Sequence, residues 1–530
     1  MLEIAFRADR DSAVPLPRQL ADHLEGLIEA GRLPAGRKLP ASREAASALA
    51  LGRKTVAAAY EMLATRGLVE AHVGQGTFVT TRTAGASAVR VAAAPQRDPP
   101  RAFAWGGLFA RGSGRRLLDV IRHLDGGGSS RFDFRGGFVD ASALPAAELR
   151  WAFGRPFQGR ARLEEIAAHR DPYGWPPLRR EIARHLASRG IACDAAEVAV
   201  VNGLQQAIAL TTRALVEPGD AVAMEQPGYF GAALAFAGSG AELIAIDVDG
   251  EGLDVERLAR VLRVRRVKLV YVTPATQSPT GVAMSPPRRE ALLALADEHQ
   301  VPIFEDDYDC ELRYAGAALP ALKATDPAGQ VVHAGTFSKI LFPSLRLGYV
   351  VAARPLLDRL VMGRAVADMG TGVVEQAALA TLLATRGLDR HLRRMRRHYA
   401  ARLAALLAAL AREMPAGTTW TEPTSGNVVW LTLPAGVDPE RLQQAARERG
   451  VAYSRGEAFY FDDRGGENLA LSFTSLDAAA IAEGVAQLAA AIREVTVERG
   501  RGHGGHRVRV RPKGRAPARR PAGRSVDAAG

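Results

Sequence analysis

The most informative stretch of the chain is VVHAGTFSKILFPSLRLGYV, residues 331–350. It begins as an apolar run that predicts a buried strand, breaks into a Gly-Thr-Phe-Ser-Lys loop, and resumes as a second strand after Arg346. A lysine amine becomes nucleophilic when it is desolvated or placed beside cations, which makes Lys339 a candidate for Schiff-base formation. The hydroxyls of Thr336 and Ser338 and the guanidinium of Arg346 suit phosphate oxygens. Taken alone, the motif fits a surface lysine in a loop about equally well.

Length and composition limit the class of protein. A chain of 530 residues is too long for one hydrophobic core, so we expect about two to four domains. With 47% hydrophobic and 24% charged residues and no apolar run long enough to span a bilayer, the composition is that of a soluble globular protein. The first residues lack the apolar segment of a secretory signal, and Cys193 and Cys310 have neither disulfide nor metal-ligand spacing. We therefore expect a cytoplasmic protein without a metal site.

Residues 13–80 predict three helices followed by a β-hairpin. The predicted elements are a helix from Leu16 to Gly31, a short helix over 42–50 with Ser42 as its N-cap, a third helix over 53–66 and a hairpin over 68–79. Val56, Tyr60 and Leu63 would pack inward, which leaves a basic first turn exposed on the third helix. In a winged helix-turn-helix, that turn meets base edges in the major groove. The alternative is a three-helix packing domain with solvated basic residues.

Many positions in this segment match one family pattern. They are Pro34, Gly36, Leu39, Pro40, Ser42, Arg43, Gly52, Arg53, Thr55, Val56, Ala59, Tyr60, Leu63, Gly67, Leu68, Val69, Gly74, Gly76, Thr77, Phe78 and Val79. With these residues the segment resembles the GntR family of bacterial transcription regulators. The resemblance implies an α+β winged helix-turn-helix that binds double-stranded DNA at an operator or promoter. It implies that the DNA-contacting residues are Ser42, Arg43, Arg53, Lys54, Thr55 and, at the wing tip, Gly74, Gln75, Gly76 and Thr77.

The rest of the chain reads as a linker, a second module and a tail. Residues 81–128 are rich in small residues, Pro and Gly and predict a flexible linker. From 129 to 490, helical and strand-like segments alternate, which indicates α/β layers. Residues 498–530 are rich in Gly, Pro and Arg and predict a disordered tail. Residues 501–530 carry nine Lys and Arg against one Asp, which accounts for most of the formal charge of +12. The tail either adds salt-sensitive affinity for DNA or is dispensable.

Groups at the ends of the predicted strands complement Lys339. A turn at Gly203, Leu204 and Gln205 enters a helix whose N-terminus suits a phosphate, and Tyr229 follows the next strand, where it can stack on a flat ring. Asp306 and Tyr308 follow a later strand and point the same way on an extended chain, so an acid can meet a ring nitrogen and a phenol a ring oxygen. Together these groups describe a site for pyridoxal 5′-phosphate (PLP).

Several motifs in the second module carry a further resemblance. They are Tyr173-Gly174, Pro227-Gly228-Tyr229, Pro279-Thr280-Gly281, EDDYD at 305–309, GTFSK at 335–339 and Arg346-Leu347-Gly348-Tyr349. The region resembles the fold type I aminotransferases, in particular the MocR subfamily of GntR regulators, which joins both modules in this order. The resemblance implies a large α/β domain, a smaller α+β domain at about 390–490, and a homodimer with the site at its interface.

The same resemblance assigns roles to individual residues. Lys339 is the Schiff-base lysine, Asp306 meets the pyridine nitrogen, Tyr308 the ring oxygen, and Tyr229 stacks on the ring. The phosphate is held by Thr336, Ser338, Arg346 and the turn at Gly203, Leu204 and Gln205. Tyr173 reaches across from the second subunit.

Three departures from the family pattern bear on activity. Trp175 replaces a common acid, and the ATQSP loop at 275–279 lacks the usual His and aromatic residue. Ala470 stands where aminotransferases tend to carry the arginine for an amino-acid carboxylate, which makes ordinary transamination doubtful. Arg455 is a candidate substitute, or else a solvent-facing loop arginine.

Three functions follow from these observations. The first is a transcription regulator that senses a small amine, an amino acid or PLP itself through the aminotransferase-like domain. The second is a working aminotransferase with an appended DNA-binding domain, and the third a DNA-binding protein with a fossil cofactor site. The complete lysine constellation argues against the third and Ala470 against the second.

Overall fold

The chain divides into two compact units, Met1–Ala104 and Trp105–Gly530. The computed structural model describes residues 14–72, 75–80, 130–136, 139–462 and 464–502, together with Phe6, Ala8, Asp9 and Ser12. The predicted linker over 81–128 lies outside the described residues, and so do residues 503–530 of the predicted tail.

The first unit contains three helices and a hairpin around a core of its own. Its elements are α1 (Leu16–Glu29), α2 (Ser42–Ala48), α3 (Arg53–Thr65), β1 (Val69–His72) and β2 (Gly76–Val79). Val56 and Leu63 are fully buried and Tyr60 nearly so, as the helical spacing predicts. β1 and β2 pair antiparallel, and Lys38 forms a bridge to Phe78, which attaches the connector between α1 and α2 to the wing.

The predicted N-cap of α2 is wrong by one position. Ala41 occupies the cap with extended backbone angles, and Ser42 is the first helical residue. The backbone N–H of Ala41 donates to the Glu44 carboxylate at 3.3 Å. A cap residue must have non-helical backbone angles, which Ala41 adopts while Glu44 satisfies its N–H.

The second unit is built on an eight-stranded mixed sheet. Its strands are β4 (Val198–Val201), β5 (Ala221–Gln226), β6 (Glu242–Asp249), β7 (Gly252–Leu253), β8 (Val267–Val272), β9 (Ile303–Asp307), β10 (Val331–Thr336) and β11 (Gly348–Val351). The order is β4-β11-β10-β9-β8-β5-β6-β7. β6, β5, β8, β9 and β10 run parallel, while β11 is antiparallel to both β10 and β4. The carboxyl ends of six strands therefore meet at one edge of the sheet, where open α/β sheets bind ligands.

Helices cover both faces of this sheet, which explains why its strands are almost continuously apolar. The helices between residues 146 and 384 are α4 (Ala146–Gly154), α5 (Arg160–Ala168), α6 (Pro176–Ala187), α7 (Leu204–Leu215), α8 (Phe230–Gly238), α9 (Val255–Val264), α10 (Pro286–Glu298), α11 (Arg354–Ala367) and α12 (Val373–Ala384). One core includes Val222, Phe304 and Val350, and another, on the other side, includes Ala223, Ile303 and Val331.

A smaller α+β part follows in the chain. Its elements are α13 (Gly387–Glu413), β12 (Thr419–Trp420), β13 (Val428–Thr432), α14 (Pro439–Glu448), β14 (Val451–Ala452), β15 (Ser454–Arg455), β16 (Asn468–Ser472) and α15 (Ala478–Gly502). A four-stranded antiparallel sheet runs β12-β13-β16-β15, and β14 pairs with β3 (Phe132–Asp133) from the start of the unit. Among the described residues, no helix is both long and apolar enough to cross a membrane.

Candidate functional site

The carboxyl ends of the large sheet open into a cavity of about 360 Å³. That volume falls in the range of about 300–1,000 Å³ that is usual for ligand pockets. The cavity is lined by Arg135, Gly136, Leu204, Gln205, Tyr229, Phe230, Thr273, Ser278, Pro279, Asp306, Tyr308, Thr336, Ser338, Lys339, Pro343, Arg346, Asn427, Val428, Ser454, Phe459 and Ala470. The lining thus includes every predicted cofactor-binding residue except Gly203 and Tyr173.

Lys339 lies just beyond β10 and is half-buried against the cavity. Burial lowers the pKa of its amine, and the carboxylates of Asp309 and Asp306 offset part of that shift. A lowered pKa raises the fraction of neutral amine near pH 7, and the neutral amine is the nucleophile. The environment of Lys339 therefore matches the chemistry that its loop predicts.

Asp306 ends β9 and is 3% exposed. Its Oδ2 accepts a hydrogen bond from the Tyr271 hydroxyl at 2.5 Å, whereas its Oδ1 is buried without a hydrogen-bond partner among the described residues. Burial raises the pKa of the carboxyl to about 8. An orphaned carboxylate oxygen in a cavity-lining residue is a costly feature in an empty protein, and a ligand N–H satisfies it.

The turn between β4 and α7 places the N-terminus of a helix beside a guanidinium, an arrangement called the cradle below. Gly203 has a φ of +80°, and a Cβ at this position would lie 2.8 Å from Nη2 of Arg346. Nη2 of Arg346 in turn donates to the carbonyl of Asn202 at 2.8 Å. Leu204 and Gln205 are the first residues of α7. The free backbone N–H groups at the N-terminus of this helix therefore lie next to the guanidinium.

The loop after β10 adds two hydroxyls to the cradle. Thr336 Oγ1 donates to Ser338 Oγ at 3.1 Å and accepts from the Ser338 backbone N–H at 3.2 Å. Tyr229 donates its hydroxyl to Gln205 at 2.9 Å, and burial raises the tyrosine pKa to about 12. The ring of Tyr229 is thereby held at the cavity as a neutral phenol.

Two predicted tyrosines lie in different surroundings. Tyr308 lines the cavity, and burial raises the pKa of its phenol. Tyr173 does not line the cavity of its own chain. Its hydroxyl bonds to Asp358 and accepts from Arg354 at 3.0 Å, on the surface of α11.

Arg455, a candidate substitute or else a solvent-facing loop arginine, is found in neither setting, since it is only 7% exposed and its charge is paired within the protein. Its guanidinium is bound by Glu440 at 2.8 Å and by Glu457 at 2.5 Å, and it does not line the cavity. Ala470, by contrast, lines the cavity from β16, between Trp430 and Ser454 on its neighbouring strands.

Apart from Ala470, sequence reasoning missed the lining residues that come from outside the large sheet. Arg135 lies just after β3, and Asn427 and Ser454 belong to the smaller part of the unit. Residue type alone gives no signal here, because these side chains reach the cavity only through the packing of separate elements. Arg135 had one possible signal, since its FDFRGG context breaks an apolar run with a cation.

The basic residues of the first unit are placed as a winged helix-turn-helix requires. Arg43, Arg53 and Lys54 are exposed, and Ser42 and Thr55 are partly so, at the starts of α2 and α3. Gln75, Gly76 and Thr77 lie in the wing, whereas Gly74 lies outside the described residues. Sequence reasoning missed Lys38, whose side chain packs against Gly76 and approaches the Phe78 ring to 5.7 Å.

Comparison with known proteins matches both units. Residues 16–79 match the bacterial regulatory proteins of the gntR family, and residues 158–488 match aminotransferase class I and II. The probable rhizopine catabolism regulatory protein MocR of Rhizobium meliloti is 33% identical over 91% of this chain and 95% of its own length. The chain belongs to the MocR-type regulators of the GntR family. It is a DNA-binding transcription regulator with an aminotransferase-like domain.

Two further proteins support this assignment. The transcriptional regulator TauR of Rhodobacter capsulatus is 33% identical over 88% of this MocR-type chain and 94% of its own length. The α-aminoadipate aminotransferase LysN of Thermus thermophilus, solved with N-(5′-phosphopyridoxyl)-L-leucine, is 32% identical with a TM-score of 0.69, covering 74% of this chain and all of its own. The aminotransferase class I and II family is PLP-dependent and its fold is typically dimeric.

Proposed function

We propose that this MocR-type regulator binds PLP at Lys339 and senses a small amine, an amino acid or PLP itself there, and that occupancy of the site changes its affinity for operator DNA. The observation that carries the proposal is the buried Oδ1 of Asp306, which has no hydrogen-bond partner among the residues that the structure describes and lies in the same cavity as the Lys339 amine. A ligand that stabilises one arrangement of the chain over another shifts the population of the DNA-binding state.

The cavity offers a partner for each part of PLP. Asp306 would hold the pyridine nitrogen, Tyr308 the ring oxygen and Tyr229 the ring face. The phosphate would be held by Gly203, Leu204, Gln205, Thr336, Ser338 and Arg346. Bound PLP supplies an electrophilic carbon that an amine attacks, and the lowered pKa of Lys339 favours the neutral amine required.

DNA recognition would use the first turns of α2 and α3 and the wing. Ser42, Arg43, Arg53, Lys54 and Thr55 would contact the major groove or its flanking phosphates. Gly74, Gln75, Gly76 and Thr77 would approach the minor groove at the wing tip. A protein with this role would act in the cytoplasm, on the nucleoid.

We also propose a homodimer with the PLP site at its interface, to which Tyr173 contributes from the second subunit. The Tyr173 hydroxyl contacts Arg354 and Asp358 of α11, and this helix exposes Met362 and Val366, with Met369 just beyond its end. Adjacent exposed apolar side chains of this size are typical of a protein interface.

Catalytic turnover is the alternative function. Residual half-transamination would use Lys339 and Asp306, which line the same cavity. Full transamination of α-amino acids is opposed by Ala470. Repeated turnover with ordinary amino and keto acids would favour the enzyme.

The test of PLP binding is the absorbance of the purified protein. Wild type supplied with PLP should be yellow and keep its visible band through dialysis. Lys339→Ala should lose the band, whereas Lys268→Ala on β8, away from the cavity, should keep it. A colourless wild type in excess PLP would refute the proposal.

A further inference from the structure

One wall of the cavity is apolar. Phe230, Val428, Phe459 and Ala470 line it and belong to a single buried cluster. The Phe459 ring packs edge-on against Trp430 at 5.6 Å, and Phe230 packs against Phe459 at 6.4 Å. Because these rings hold one another in place, the wall is a preformed surface rather than a mobile flap.

The cations around the cavity are engaged elsewhere. Among the described lining residues, the basic ones are Lys339, Arg346 and Arg135. Arg346 closes over Gly203 in the anion cradle. Arg135 donates to both carboxylate oxygens of Asp133, at 2.9 and 2.6 Å. Lys339 is the residue that an incoming amine would displace.

The polar groups that remain beside the apolar wall are uncharged. Ser278, Asn427 and Ser454 line the cavity and offer hydroxyl and amide groups. Arg455, next in the chain to Ser454, is turned to Glu440 and Glu457. A carboxylate on the ligand would thus meet no uncommitted cation among the described lining residues of this chain, which is unfavourable, whereas an alkyl or aryl group would be well accommodated.

We propose that the effector is a primary amine with an uncharged, largely apolar substituent of aromatic size, and not an α-amino acid. The inference rests on the proposed function, because the amine is taken to act at the Lys339 site. It also restricts the class of effector, because the apolar wall would favour amines that carry no carboxylate.

The test is a pair of ligands that differ only in the carboxylate. 2-Phenylethylamine and L-phenylalanine are titrated into the full-length, PLP-loaded protein, with binding followed by calorimetry and by the visible band. We expect 2-phenylethylamine to bind on the order of 10- to 100-fold more tightly, the cost of burying an unpaired charged group. Equal or tighter binding of L-phenylalanine would overturn the inference, and so would failure of both to bind.

A variant reverses the expected preference. Ala470→Arg places a guanidinium on the wall and should bring L-phenylalanine to at least the affinity of 2-phenylethylamine. Ala401→Arg, on the exposed face of α13, should keep the wild-type order. If Ala470→Arg does not fold, the relative affinities of the two ligands for the wild-type protein still test the inference. Loss of the PLP band or of DNA binding in wild type would instead refute the proposed function, so the two failures are distinguishable.

Discussion

The two candidate sites of this protein are built in opposite ways. The basic residues at the starts of α2 and α3, Arg43, Arg53 and Lys54, are exposed and come from a few neighbouring turns. The side chains of the cavity are largely buried, and Asp306 lies in β9 while Lys339 follows the neighbouring strand β10. A substitution in the first site leaves the core of its unit intact. In the second site, burial of the Asp306 carboxyl is unfavourable, and a bound ligand would relieve that cost.

The largest expected contrast concerns Asp306. Burial raises its pKa from 3.8 to about 8, so between those values the folded, PLP-free protein holds a proton that the unfolded chain has lost. Stability from this group therefore falls as pH rises through that window, by at most about 1.4 kcal/mol per pH unit. Asp306→Asn should flatten this dependence in urea unfolding of the PLP-free protein.

Glu225 has to be separated from Asp306 in that experiment. Burial raises the pKa of Glu225 to about 7. Its contribution to the free energy of unfolding therefore also falls as pH rises, and this fall ends near pH 7. The difference between wild type and Asp306→Asn should persist above it, up to about pH 8. Parallel curves for the two proteins would contradict the assigned environment of Asp306.

The next effect belongs to the exposed site. Arg53→Ala should weaken operator binding by about 1–3 kcal/mol if the guanidinium contacts a base, without a change in thermal stability. Arg18→Ala, exposed on α1, is the matched control and should bind nearly as wild type does. Anisotropy with labelled promoter DNA measures both, and equal affinities would remove Arg53 from the recognition surface.

The smallest effect compares two glycines. Gly203 and Gly219 both have positive φ, of +80° and +92°, so an alanine at either costs on the order of 1–3 kcal/mol of backbone strain. A Cβ at Gly203 would also meet Arg346, while a Cβ at Gly219 has nothing within 4 Å. Gly203→Ala should therefore lower PLP affinity several-fold in equilibrium dialysis, and Gly219→Ala should not. Equal PLP affinities would argue against the cradle.

Sequence patterns located the strands that carry the site because those strands are buried on both faces. The largely apolar runs VAVV at 198–201 and VKLVYV at 267–272 coincide with β4 and β8, while β9 and β10 continue past their apolar residues to Asp306 and Thr336, which line the cavity. β6 was missed, since ELIAIDVD is partly exposed and carries acids. Burial on one face only leaves a weaker apolar signal.

The cavity itself was only partly predictable. Site residues at the ends of strands, such as Asp306, can be predicted from sequence because the topology brings the carboxyl ends of the strands together. Arg135, Asn427 and Ser454 reach the cavity from distant parts of the chain, and the engagement of Arg455 by Glu440 and Glu457 depends on packing that no local pattern encodes.

The most direct test of the central claim is the operator affinity of the full-length protein with and without PLP, in wild type and in Lys339→Ala. Allosteric coupling typically changes affinity about 5- to 150-fold. We predict a change of that order on adding PLP to wild type and none for Lys339→Ala. Unchanged affinity in wild type, or the same change in both proteins, would contradict a DNA-binding unit controlled from Lys339.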